Sequence, residues 1–377
     1  MDSSTSALTQ YPQWLPKLPR DVWILALGQL LLFIGQGFTL VYAALYFVNV
    51  LGFSPTEVGL AQSSMGISGI LGRLWAGNNS RSKIGLKGLL VLAAILTGMG
   101  SFILAGSTTF GGLVAGNLVI GLGIGLYWPA NLALTTDITT REQRSEAIAL
   151  SRLSDNLGVG LGVLIAGQYL AHFSAYAVLF IAKGVACLVF AGVIAIALAP
   201  APITTPTTKA AWQQWGQALR DRRLLLLLSA SIFVTTYIAQ ISTTLPLYLA
   251  NFVPGGDTAT GFSEAVISYF FIWNAFIKIT LQLPVVRWLR NTAPATVIQG
   301  GVGLWTAGLV LLWGLGILPT GSIWVTLLAF GLISLSEILF SPFASTLIGN
   351  IAPVDLRGIY FALESQIWAL GLSLIHI

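Results

Sequence analysis

Runs of about twenty or more apolar residues recur eleven times along this 377-residue chain, and no other feature limits its folds so severely. A run of that length spans the hydrocarbon of a bilayer as one α-helix. Reading the runs between polar, Gly and Pro clusters gives approximate spans at 22 to 49, 57 to 77, 86 to 107, 111 to 136, 146 to 170 and 173 to 199. After a polar stretch come 222 to 250, 263 to 289, 295 to 317, 322 to 347 and 359 to 377. None shows the period-two alternation of a barrel strand, and in lipid a helix satisfies its own backbone polar groups. The expected fold class is an all-α membrane protein.

Composition excludes the soluble alternatives. Hydrophobic residues make up 55% of the chain and charged residues only 8%, with a mean hydropathy of +0.84; soluble domains carry about 25% charged residues. A net charge of +5 would suggest nucleic acid as a partner for a soluble protein, but here its distribution matters more than its sum. The one cysteine, Cys187, lies in an apolar run and reads as filler, so neither a disulfide framework nor a Cys-based metal site is expected. Residues 1 to 21 are polar and Pro-containing and lead into a full span, which argues against a cleavable signal peptide.

Lys and Arg orient the spans, because they concentrate in short cytoplasmic loops. Lys17 and Arg20 precede the first span; Arg81, Lys83 and Lys87 follow the second; Arg141 and Arg144 follow the fourth. Lys209, Arg220, Arg222 and Arg223 lie in the middle, Arg287 and Arg290 follow the eighth span, and Arg357 follows the tenth. The loops near 50 to 56, 108 to 111, 171 to 174, 251 to 262 and 318 to 321 hold none. The N-terminus is expected in the cytoplasm and the chain in the cell (inner) membrane. Trp23, Trp75, Trp212, Trp215 and Trp288 near the basic side, and Trp324 near the other, are expected in the interfacial aromatic belts.

The polar stretch at 200 to 221, with three prolines at its start, reads as a cytoplasmic linker between an N-terminal half, 1 to 199, and a C-terminal half, 222 to 377. The halves repeat. Residues 127 to 150 align without gaps on 340 to 363 at an offset of 213, pairing Pro129 with Pro342, Leu134 with Leu347, Arg144 with Arg357 and Leu150 with Leu363. A second match sets 45-LYFVN-49, Gly52-Phe53-Ser54 and Glu57 against 247-LYLAN-251, Gly261-Phe262-Ser263 and Glu264.

On these motifs the chain resembles the major facilitator superfamily of secondary transporters. The stretches Asp137 to Arg144-Ser145 and Asn350 to Arg357-Gly358, and the turn 51-LGFSPTEVGL-60, carry the resemblance. The superfamily's latch after span two survives as 82-SKIGLK-87, with Lys83, Gly85 and Lys87 in place but Ser82 where an Asp belongs. Its span-four Arg is Asn117 here, and the Pro of the proton-antiporter motif is Val163 after Gly158-Val-Gly160-Leu-Gly162. The resemblance thus supports the fold and not a proton-antiport drug pump. It implies two six-helix halves related by a pseudo-twofold axis, alternating access to a central cavity, and twelve spans. Eleven are visible, because the tail after Gly371 departs from the Gly-rich pattern of span five and reads as a truncation or frame error.

Charges inside spans are expensive, roughly 2.5 to 3.5 kcal/mol each on insertion scales, so they mark candidate sites. Lys278 and Glu337 lie at similar depths and could pair, either as a structural salt bridge or as ligands of a substrate or proton. Arg152 and Asp155, three apart on span five, share a face and form either an ion pair or a cytoplasmic gate. Lys183 is expected to snorkel toward the external surface. Asp137, Arg144 and Arg357 are expected at loop anchors or an inward gate. Gln29 and Gln36 on one face of span one, Tyr42 paired with Tyr46, Asn131, Tyr237 with Gln240, and Asn274 complete the candidate cavity.

No phosphate-binding loop is present, and His172 and His376 have no partner at metal-ligand spacing, so the expectation is a non-enzyme without cofactor or metal. The function expected is secondary active transport of a small organic solute, with export preferred to uptake and a proton as the candidate coupling ion. The alternatives are proton symport of a metabolite such as a sugar or nucleoside, and a transporter-shaped receptor that binds a solute without moving it. The expected partners are that solute and the lipid bilayer, with no nucleic acid, and the chain is expected to act as a monomer.

Overall fold

A computed structural model describes residues 17–40, 42–80, 82, 84–173, 175–198, 211–253, 261–317 and 323–373. Every described segment of regular structure is helical: α1 Arg20–Leu40, α2 Tyr42–Leu45, α3 Pro55–Asn79, α4 Gly85–Ala105, α5 Phe110–Asp137, α6 Arg144–Phe173, α7 Tyr176–Ala197, α8 Ala211–Ala218, α9 Arg222–Asn251, α10 Glu264–Leu289, α11 Pro294–Leu315, α12 Ile323–Ile351 and α13 Arg357–Ser373. A π-helical turn, Tyr46–Val50, follows α2. Among the described residues, eight helices are long and apolar enough to cross a membrane: α1, α4, α5, α6, α7, α10, α11 and α12. The expected spans at 57 to 77, 222 to 250 and 359 to 377 fall on helices α3, α9 and α13, which do not meet that test.

Local chemistry sets the helix ends. Ser54 caps α3: its hydroxyl accepts from the Glu57 amide while the Glu57 carboxylate accepts from the Ser54 amide, and Pro55 supplies the first helical φ. Gly85 opens α4 at φ +61, a left-handed conformation that disfavours any side chain although none would meet a neighbour there. The basic residues on either side of Gly85 differ in visibility: Lys87 donates to the Leu198 carbonyl at 2.7 Å, tying α4 to the end of α7, whereas Lys83 and Arg81 lie outside the described residues. So do residues 199–210, which hold the first half of the expected linker, and 374–377, which hold His376.

Glycines bring helices into backbone contact. Gly121 and Gly125 put α5 on the backbone of α3 at Met65 and Gly69, and Gly158 and Gly162 put α6 on α1 at Leu30 and Ile34. Further packing joins α4 to α5 and α7, α12 to α10 and α11, and α13 to α9.

The apolar cores show where the two parts of the chain meet. One core holds Phe47, Val58, Leu104, Leu113 and Phe180, all from before residue 199. Another holds Leu249, Phe262, Phe270, Leu312 and Phe330, all from after residue 211. Both lie toward the loops that lack Lys and Arg. The shared core lies toward the basic loops, where Leu89, Leu132 and Ala133 pack in one cluster with Ile348, Ile359, Tyr360 and Phe361. The two parts are joined at the basic end and have separate cores at the other.

Candidate functional site

The seam at the basic end is held by side chains that cross it. Arg144, at the start of α6, donates to the Gly349 carbonyl at 3.0 Å and to the Asn350 side chain. Arg357, at the start of α13, donates to the Asp137 carboxylate at the end of α5. Arg290 reaches Glu146 at 3.0 Å from the end of α10. The short helix α8 adds a fourth contact, in which Trp215 donates its indole N–H to Asn78 and packs on Gly77; within the second part of the chain, Tyr360 donates to the carboxylate of Asp221, the residue that caps α9, at 2.8 Å. Trp215 is therefore buried and is not a belt residue, in contrast to Trp288 and Trp324, which are exposed. An indole whose N–H has a protein partner has no need of the lipid interface.

Behind this seam lies a cavity of about 440 Å³, bounded by α3, α5, α6 and α13 and lined by Arg73, Trp128, Arg152, Glu364, Ser365 and Trp368 among others. Arg73 donates to Ser365 at 2.9 Å and forms no ion pair among the described residues. Arg152 has its guanidinium carbon 5.0 Å from the Trp128 ring centre and 5.9 Å from that of Trp368, so one ring from each part of the chain stacks on it. Its carboxylate neighbour is Asp155, at 3.7 Å one turn along α6. Asp155 also accepts from Gln29, whose own carbonyl oxygen accepts from Asn131 at 3.4 Å. Glu364 is buried, with one oxygen accepting from Ser345 at 2.6 Å and the other without a partner among the described residues. The arrangement offers cations, aromatic faces and a carboxylate oxygen free to take a proton or a donor.

The residues singled out from sequence divide among separate places. Gln29, Asn131, Arg152 and Asp155 form the network just described, and Asp137, Arg144 and Arg357 the seam. Lys278 and Glu337 pair at 2.9 Å between α10 and α12, away from the cavity-lining residues. Gln36 lines a different cavity within the first part of the chain. Tyr42 points to the Val163 carbonyl at 3.4 Å, Tyr237 stands edge-on to Trp305 with ring centres 5.0 Å apart, and Asn274 is buried with its amide nitrogen unpartnered. Gln240 is exposed. Lys183 does not snorkel; it is buried, donating to Thr39 at 3.2 Å. Its backbone packs on Gly35 of α1, and the side chain turns inward to the Thr39 hydroxyl. Arg73 and Glu364 escaped the sequence reading, although each is a charge inside an apolar run and the insertion-cost test that selected Lys278 would have selected both.

This fold and its seam can be set beside known proteins. A family model described as the Major Facilitator Superfamily matches residues 25–375. The chain belongs to the major facilitator superfamily. This superfamily protein is accordingly a secondary transporter, and its relatives are transporters rather than enzymes. Multidrug resistance protein MdtH of Aeromonas hydrophila is 27% identical over 366 residues, covering 93% of this chain and 84% of the relative. A Na(+), Li(+), K(+)/H(+) antiporter of Planococcus maritimus is 24% identical, covering 88% and 82%. Among solved structures, the transporter FucP in the outward conformation superposes with a TM-score of 0.74 at 15% identity, over 94% of this chain and 89% of that one. The human organic anion transporter MFSD10 superposes with a TM-score of 0.70 at 15% identity, over 95% and 92%. Both share the fold.

Proposed function

We propose that this superfamily member exports an amphipathic organic solute across the cell's inner membrane by alternating access, in exchange for protons. The observation that carries the reading is the cavity behind the seam, which opens between the two parts of the chain and is lined by two cations, two tryptophans and the half-partnered Glu364. Breaking the seam while closing the opposite side would present the same cavity to the cytoplasm. Glu364 is the proposed proton carrier and Arg152 the proposed substrate contact, with Arg73 beside it. Asp137, Arg144 and Arg357 are the proposed inward gate. The names of the relatives, a multidrug resistance protein and a cation/proton antiporter, favour export and ion coupling over metabolite symport or a receptor that does not transport.

The proposed topology has eleven crossings and a cytoplasmic N-terminus, with residues 1 to 199 and 222 to 377 as two pseudo-symmetric halves. It is supported by the asymmetry of basic residues and by the exchange of partners at the seam. Asp137 and Asn350, and likewise Arg144 and Arg357, are separated by 213 positions, and each Arg bonds to the other's counterpart. A twofold relation produces that exchange. The test is efflux of cationic, neutral and anionic fluorescent dyes from proteoliposomes containing the full chain, with and without an imposed pH gradient. Efflux of at least one dye should follow the gradient; no gradient-dependent movement of any dye would defeat the reading.

A further inference from the structure

The cavity within the first part of the chain stands apart from the one behind the seam. It measures about 180 Å³ and lies among α1, α4, α5 and α7, lined by Leu32, Phe33, Gln36, Thr97, Tyr127, Trp128, Lys183 and others. Its lining holds no Asp or Glu. Lys183 is 5% exposed, and among the described residues its ammonium has one partner, the Thr39 hydroxyl. An ammonium removed from water without a counter-charge is costly and calls for an anion. A second, independent observation points the same way: the Tyr127 hydroxyl, on another helix but on the same cavity, is buried and has no hydrogen-bond partner among the described residues. Two donors therefore face a space whose remaining walls are apolar or aromatic apart from the neutral side chains of Gln36 and Thr97.

We propose that this cavity is a binding site for a small anion, with Lys183 as counter-charge, Tyr127 as hydrogen-bond donor, and Phe33 and Trp128 packing on any apolar body attached to it. The volume equals that of about six waters at roughly 30 Å³ each, enough for a small monocarboxylate as well as for a halide. Trp128 borders both this cavity and the one behind the seam, so occupancy here would bear on the ring that stacks on Arg152. The proposal does not require the export reading, because binding is measured without transport.

Equilibrium binding of benzoate to the purified full-length protein tests it, with benzamide as the neutral control and bromide as competitor. Benzoate should bind, and benzamide should bind about tenfold more weakly or not at all. Lys183→Gln should weaken benzoate by about tenfold or more while Lys183→Arg keeps it within about threefold. Tyr127→Phe, which removes one oxygen and keeps the fold, should weaken it by about threefold to tenfold. Displacement by bromide would assign the site to a free inorganic anion, and resistance to bromide to the carboxylate of a larger solute. No benzoate binding, equal binding of benzamide, or unchanged binding in Tyr127→Phe would overturn the proposal.

Discussion

The Arg357 guanidinium donates to the Asp137 carboxylate across the seam, each group sheltered to within a fifth of full exposure (13% and 17%). Replacing Arg357 removes this charge-assisted bond across the seam, a loss of about 1–3 kcal/mol for a partly buried pair. That loss falls only on the seam-closed form. Arg357→Gln should therefore expose the interior to the basic side. Thr346→Cys, one turn inside Asn350, should react with a maleimide faster in the Arg357→Gln background than in the parent, with the buried Cys187 giving a low background. Equal labelling rates would remove the gate from Arg357 and Asp137.

Glu364→Gln separates coupling from folding. The amide oxygen of Gln can still accept from Ser345, so the local bond survives, while the exchangeable carboxyl proton is gone. Dye exchange down its own gradient should continue at about the parental rate, and transport driven by a pH gradient should disappear. A variant that still concentrates dye against its gradient would exclude Glu364 as the proton carrier.

Lys278 and Glu337 satisfy each other at 2.9 Å, with 23% and 15% of their side chains exposed. Either Lys278→Met or Glu337→Gln should cost about 1–3 kcal/mol by stranding its partner, and the double variant should recover part of that loss. Thermal unfolding in detergent reads the cycle. Strictly additive losses would show that the two groups act independently.

Gly125 admits no side chain. A methyl there would press on the Gly69 carbonyl oxygen and come within 3.1 Å of the Arg73 amide nitrogen. Gly125→Ala should destabilise the protein by about 1–3 kcal/mol and disturb Arg73 on the cavity wall. Gly160→Ala, where a methyl meets nothing within 4 Å, is the matched control and should leave the melting temperature unchanged. Similar melting temperatures for the two would contradict the close approach of α3 and α5.

The helices were legible because lipid demands long apolar runs, and Arg144 and Arg357 because the internal repeat singles them out at matching positions. The repeat could not show that each would bond to the other half's acceptor, since alignment places equivalent residues and says nothing of which surfaces touch. Glu364 and Arg73 went unread for a related reason. Each is a charge in an apolar run that the insertion cost alone would select, but no matching residue in the other half draws the eye to it, and Ser345 and Ser365 become their partners only when α12, α13 and α3 are assembled. Trp215 was misassigned because tryptophans beside a basic loop fit an interfacial belt by position, and only docking of α8 against Asn78 distinguishes the two settings. The cavity candidates on α1, α9 and α10 scattered because sharing a depth does not make residues share a face.

Arg152 is stacked between Trp128 from one half of the chain and Trp368 from the other. When the seam parts, the guanidinium can travel with only one of those rings. A cation–ring contact contributes about 0.5–2 kcal/mol, from roughly one to a few times thermal energy. The stack is thus a clasp weak enough to be unfastened in every cycle, and its two indoles change surroundings each time it is. Indole fluorescence should therefore change when the seam opens, and Trp368→Phe should dim that change without touching a charge.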